Sequence, residues 1–177
     1  IRQKRDEIPP EVLAQKTKAN NGRKDGTKKM LVILVNFPAE TINGITYPAT
    51  TMEQATISQW ETQINSTTAS DYSVRKYYSD NTNGNMDINF TFVGPYTMEH
   101  CYYYYGHNGS TGEDIDELRA IFAREAVQHL IDDATVNLED YANSSGWINN
   151  VFILFAGTKG GNNIWPHGMN LYGRYYN

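Results

Sequence analysis

Four histidines, one cysteine and a scatter of carboxylates are the side chains of this 177-residue chain with the most obvious capacity for chemistry. The histidines are His100, His107, His129 and His167, and no two stand at the i, i+4 spacing of a His-Glu-x-x-His helix. That spacing puts two imidazoles on one helix face to hold zinc, with the glutamate free to activate water. Its absence leaves these residues without a metal site of that type. His100 and His107 flank Cys101-Tyr102-Tyr103-Tyr104-Tyr105-Gly106. Seven residues apart in a Tyr-rich segment, they read as loop packing, with a metal pair as the alternative. His129 falls on or beside the apolar stripe of a long helix and reads as a packed histidine. The lone Cys101 cannot close an internal disulfide and reads as a small packed side chain among tyrosines. Asp132-Asp133 and Glu139-Asp140 read as solvated surface charge. The sequence contains no Cys pair, phosphate-binding glycine loop, dinucleotide fingerprint or nucleophile elbow. The tyrosine run could still serve as a ridge that binds peptide or glycan.

The elements that would position these groups are legible from periodicity. Met30-Leu31-Val32-Ile33-Leu34-Val35-Asn36-Phe37 is an unbroken apolar and β-branched run closed by Pro38, as a strand covered on both faces requires. Thr50 and Thr51 precede Glu53 and Gln54 at capping-box spacing, predicting a helix that buries Met52, Ala55, Trp60 and Ile64. Val74, Tyr77 and Tyr78 predict a helix over 72–80, ended by Asn83-Gly84. Met86, Ile88, Phe90 and Phe92 alternate with polar residues as in a half-buried strand. A long helix over 114–132 follows, with Asp114 and Glu117 as its capping box and Ile115, Leu118, Phe122, Ala126 and Leu130 as its stripe. Val151-Phe152-Ile153-Leu154-Phe155-Ala156 repeats the fully covered strand pattern. The order β, α, α, β, α, β predicts an α/β domain with a mixed sheet built on strands 29–37, 86–92 and 150–156.

Charge is uneven along the chain. Residues 1–29 carry nine Lys or Arg against four Asp or Glu, a net +5, whereas residues 30–177 carry six against sixteen, a net −10. Nucleic acid as a main partner is not expected of an acidic body with no basic stripe. Nor is a membrane, since no stretch approaches the roughly 18 apolar residues of a spanning helix. Residues 1–28 are expected to be a linker or the end of a propeptide, with residues 29–177 forming the domain.

Nine segments in order resemble the immune inhibitor A family of secreted bacterial zinc metallopeptidases. They are Lys29 to Phe37, Ser73-Val74-Arg75-Lys76-Tyr77-Tyr78, Asn83-Gly84-Asn85-Met86-Asp87-Ile88, Val93-Gly94-Pro95-Tyr96-Thr97, Tyr105-Gly106, Arg124-Glu125-Ala126, Asp140-Tyr141-Ala142-Asn143, Asn150 to Gly157, and Ile164-Trp165-Pro166-His167. The resemblance implies a zincin-like upper subdomain, a twisted mixed sheet with backing helices. It implies a parent peptidase in which zinc polarises the scissile carbonyl and a glutamate takes the proton from zinc-bound water. The zinc-binding helix of that family lies downstream of the Trp-Pro-His segment, so the zinc ligands are expected outside this chain, which alone would be inactive. Calcium is doubtful, because Tyr141-Ala142-Asn143-Ser144-Ser145-Gly146 lacks the carboxylates of the family's turn. Gly160, Gly161, Ile164, Trp165 and His167 are expected at the rim of the cleft, offering a strand edge to substrate. The expected partners are a protein or peptide substrate and the remainder of the catalytic domain, in a secreted or extracellular setting.

Overall fold

A computed structural model of the chain describes residues 27–106, 115–148 and 150–157. Its organising element is β1 (Thr27–Asn36), in which Leu31, Val32, Ile33, Leu34 and Val35 are each at most 2% exposed. Such burial needs neighbours on both edges and both faces, and β1 has them. It pairs in parallel with β4 (Asp87–Thr97) on one side and with β5 (Val151–Phe155) on the other, giving the order β4-β1-β5. A separate antiparallel hairpin is formed by β2 (Glu40–Ile42) and β3 (Ile45–Tyr47). Its turn residues Asn43 and Gly44 take positive φ angles of 50° and 79°, the geometry that matches the twist of a two-residue hairpin. The α/β class expected from the sequence is the class observed, and the three described strands of the main sheet are all parallel.

One face of the sheet carries Leu31, Ile33, Val35 and Val93, continued by Phe37 and packed against Phe122, Ala126 and Leu130. These last three come from the long helix (Ile115–Asp132), which also buries Leu118, as its i, i+4 stripe predicts. The capping box expected at Asp114 lies outside the described residues. On the opposite face Val32, Leu34, Ile88 and Phe90 meet Ile57 of α1 (Gln54–Asn65). The capping box expected at Thr50 and Thr51 is not formed: the N-cap is Glu53, with no side-chain cap bond. Thr50 is instead bridged to Phe37 by two backbone hydrogen bonds of 2.9 Å, so tertiary pairing takes the residue that local spacing assigned to the helix. The helix therefore buries Ile57, while Trp60 and Ala55 are exposed and Met52 and Ile64 pack at the margin.

The second helix, α2 (Val74–Asn81), starts where Ser73 Oγ accepts from Lys76 N at 2.9 Å. It ends in a Schellman motif in which Gly84 N donates to Ser79 O and Asn83 N to Asp80 O. Val74, Tyr77 and Tyr78, whose spacing predicts this helix, are exposed on it. The helix is held from its other side, where Arg75 Nε and Nη2 grip the two carboxylate oxygens of Asp87 at 2.7 and 2.8 Å. The free edge of β4 is closed at Phe90, whose backbone O accepts from Asn65 Nδ2 at 2.6 Å and whose N donates to Asn65 Oδ1 at 2.9 Å.

The expectation of a fully covered third strand needs correction. Among the described residues β5 pairs only with β1, and Phe152 is 48% exposed, touching Phe90 at a ring separation of 5.8 Å. Apolar content alone does not tell how far each face of a strand is covered. No helix among the described residues is long and apolar enough to cross a membrane.

Candidate functional site

Because the three strands run in parallel, their carboxyl ends gather at one edge of the sheet, the place where open α/β sheets form their clefts. Asn36 and Phe37 leave β1 there, Met98 follows β4, and Ala156 and Gly157 follow β5. Met98 N donates to Asn36 O at 3.0 Å, and Ala156 N to Val35 O at 2.8 Å. Asn36 Oδ1 accepts from Met52 N at 2.7 Å, and Thr50 Oγ1 donates to Ala156 O at 3.1 Å. The loop before α1 is thereby stitched to β1 on one side and β5 on the other.

A second set of bonds fixes the hairpin to the segment after β4. Glu40 accepts from Cys101 N through Oε2 at 2.8 Å, and its Oε1 lies 2.9 Å from His100 Nδ1. The His100 ring stacks on Tyr104 at 4.0 Å, and Tyr47 stacks on Tyr103 at the same separation. The hydrogen bond with Tyr103 pushes the Tyr47 phenol up to about 12. A third set ties the segment to the long helix: Glu125 Oε1 accepts from Glu99 N at 2.5 Å and its Oε2 from the buried Tyr105 hydroxyl. Burial and that carboxylate raise the Tyr105 phenol far above its ordinary range.

These ties decide what the groups can do. The tyrosine run winds into a single helical turn, α3 (Tyr102–Gly106). Tyr105 enters the core and the other three are half-buried. Cys101 is fully buried, burial pushes its thiol up, and the recorded bond of His100 Nδ1 goes to Glu40, so the pair does not form an activated nucleophile. His129 is less deeply packed than expected; it is half-buried and stacks on Tyr96 at 5.6 Å. Asp133 is not merely solvated, since it accepts from the Tyr96 hydroxyl at 2.6 Å and from Thr135 N and Oγ1. Asp140 is exposed and pairs with Lys29 at 3.1 Å. In the turn where calcium was doubted, Asn143 Oδ1 accepts from Ser145 N and Trp147 N, so an amide organises the backbone there.

Zinc requires at least three protein donors. Among the described residues no group of three His, Cys, Asp or Glu could hold a metal. Glu40 with His100 and Glu125 with His129 are pairs only, so the described residues do not fit a zinc ion. Gly160, Gly161, Ile164, Trp165 and His167 lie outside the described residues, as does His107. Sequence reasoning missed Glu40 altogether; a single carboxylate between Ala39 and Thr41 carries no spacing signal. Glu125 did carry one, standing in the Arg124-Glu125-Ala126 element.

Two of these ties predict an acid limit to stability. The Arg75 guanidinium holds the Asp87 carboxyl below the usual carboxylate range. Burial alone would raise Glu40, but the bonds from Cys101 N and His100 outweigh it and leave that carboxyl lowered as well. A depressed folded-state value stabilises the fold above the unfolded value, and the gain disappears as pH falls through the folded value. Urea unfolding midpoints should therefore drop as pH falls from about 5 towards 2, and Asp87→Asn should flatten that slope. An unchanged slope in Asp87→Asn would show that the Arg75 pair is not linked to folding.

The family model for the immune inhibitor A peptidase M6 catalytic domain matches residues 15–150. A search of curated proteins gives no match. The match spans β1 to the threshold of β5, and the chain belongs to that peptidase family.

Proposed function

We propose, with membership of the immune inhibitor A peptidase family as the premise, that this chain is the scaffold half of a secreted zinc-dependent peptidase that hydrolyses peptide bonds in proteins. The family match is the observation that carries the reading. In this reading zinc is bound by residues that these 177 do not include. Zinc would supply polarisation of the scissile carbonyl. The role of the present residues is to build the sheet and fix the chain that leaves β5. Gly160, Gly161, Ile164, Trp165 and His167 line the rim of the substrate cleft. Supporting this, Gly157 follows β5 at the carboxyl edge of the sheet, where open α/β sheets form their clefts.

The full-length protein should cleave casein, contain stoichiometric zinc, and be recovered from the culture medium of its source. Trp165→Ala and His167→Ala should each raise KM for peptide substrates about fivefold, the effect of about 1 kcal/mol of lost binding, with zinc content unchanged. Zinc lost from a folded His167→Ala protein would make His167 a ligand instead. Stoichiometric protein binding without cleavage would replace the peptidase reading by a noncatalytic peptidase-like module.

A further inference from the structure

The excursion from Pro38 to Ala49 is built as a separate unit. It leaves and rejoins the body at one point, where Phe37 and Thr50 exchange two backbone hydrogen bonds of 2.9 Å. Phe37 is 1% exposed and belongs to the core, so this base is fixed. Beyond it none of residues 38–49 is buried. Inside the unit, β2 and β3 pair Glu40 with Tyr47, Thr41 with Thr46 and Ile42 with Ile45, and the two threonine hydroxyls lie 2.9 Å apart. A two-stranded hairpin is at best marginal alone, so its position depends on what it touches.

Among the described residues, its hydrogen bonds and ring contacts with the rest of the molecule come from the rung of Glu40 and Tyr47. Directly opposed residues of a ladder share one face, so the carboxylate and the phenol reach the same neighbour together. Glu40 accepts from Cys101 N at 2.8 Å and lies 2.9 Å from His100 Nδ1, while Tyr47 stacks on Tyr103 at 4.0 Å and meets Tyr102 edge-on at 6.3 Å. Under this rung Cys101 is 0% exposed, and its thiol as well as its N–H faces the Glu40 carboxylate. Few buried apolar contacts above a fixed base are the conditions for local opening at less than the free energy of global unfolding.

We propose that residues 38–49 form a lid, hinged at the bridge of Phe37 and Thr50 and latched by Glu40 and Tyr47, that opens while the sheet stays folded. Closed, it hides the Cys101 thiol and occupies His100 Nδ1; open, it presents both beside the end of β4. The lid does not depend on the peptidase reading, because it uses only the hairpin and the segment after β4.

Cys101 is the one cysteine of the chain, which makes its thiol a reporter of opening. The full-length protein is treated with iodoacetamide at about pH 8, where a free thiol is partly ionised, and modification of the Cys101 peptide is followed by mass spectrometry. The series is run in urea well below the unfolding midpoint. Opening of a small lid exposes little surface, so the labelling rate should change less than about twofold over that range. Glu40→Ala should raise the rate about tenfold or more, because it removes hydrogen bonds to a charged group. Tyr47→Ala leaves the carboxylate beside the thiol and should also raise it, which separates release of the lid from a change in thiol acidity. Amides of residues 31–35 should keep the parent's protection from exchange in both variants. A labelling rate in the parent that climbs with urea as steeply as the unfolding constant would overturn the lid, as would unchanged labelling in folded Tyr47→Ala. Should Glu40→Ala fail to fold, the parent's urea series and Tyr47→Ala decide between these outcomes.

Discussion

Phe37→Ala is expected to remove about 3–5 kcal/mol of stability, the cost of truncating a buried aromatic into a cavity. Phe37 sits where β1 ends, 1% exposed, with the rings of Phe122, Tyr105, Phe155 and Tyr102 centred 5.8–6.5 Å from its own. These rings come from the long helix, α3 and β5, so the surroundings cannot collapse onto the void without moving three elements at once. Against a total of about 5–15 kcal/mol for a domain, the loss would leave the fold marginal. Phe152→Ala should cost about 1 kcal/mol or less in comparison, because Phe152 is already half exposed and has one ring neighbour among the described residues. Urea unfolding of the two variants side by side is the check. Equal losses would mean that Phe152 is covered in solution. For the same reason Phe152→Asp should be less damaging than a carboxylate placed in the core. The position for that test is Ile33, 0% exposed on the central strand, where an unpaired carboxylate has no route to water.

The contrast between Ile33 and Phe152 marks how far local pattern carries. Both lie in unbroken apolar runs, and periodicity cannot distinguish a fully buried position from a half-exposed one. The strand over 86–92 and the long helix were legible because a period of two and a step of four are intrinsic to their segments. The outward position of Val74, Tyr77 and Tyr78 on α2 was not, since the helix is tied to the sheet by the pairing of Arg75 with Asp87, twelve residues away. Thr50 failed for a related reason: its spacing to Glu53 suits a helix cap, but Phe37 takes its backbone and Ala156 its hydroxyl. The candidate site was the least legible part. Glu40, His100 and Cys101 meet only because a hairpin after β1 and a turn after β4 reach the same end of the sheet. The family resemblance reached further than periodicity, since ordered segments such as Val93-Gly94-Pro95-Tyr96-Thr97 encode tertiary constraints that no period reports.

That segment supplies the second large effect: Gly94→Ala should destabilise the fold by about 3 kcal/mol or more. The register between β1 and β4 runs in step to Ile33 and Val93 and resumes at Val35 and Tyr96, so Gly94 and Pro95 together stand opposite Leu34 alone. This is a bulge, and proline is tolerated in it because its missing N–H sits where the ladder is already interrupted. Gly94 adopts a φ of 91°, and a Cβ there would lie 2.7 Å from Leu34 O and 2.8 Å from Tyr96 N. Neither atom can yield cheaply, since both are backbone and Leu34, 2% exposed, belongs to the central strand. Gly84→Ala is the control, because Gly84 has a similar φ of 77° but nothing within 4 Å of an added Cβ. It should lose only the left-handed strain, about 1–2 kcal/mol. For a chain of this size each kcal/mol is about 2–4 °C, so Gly94→Ala should melt roughly 6–12 °C below the parent and Gly84→Ala about 2–8 °C below. The difference between the two isolates the close approach of β4 to Leu34. If thermal unfolding showed the two variants to be equally destabilised, the bulge would not press against β1 as described, and the glycine would serve backbone conformation alone.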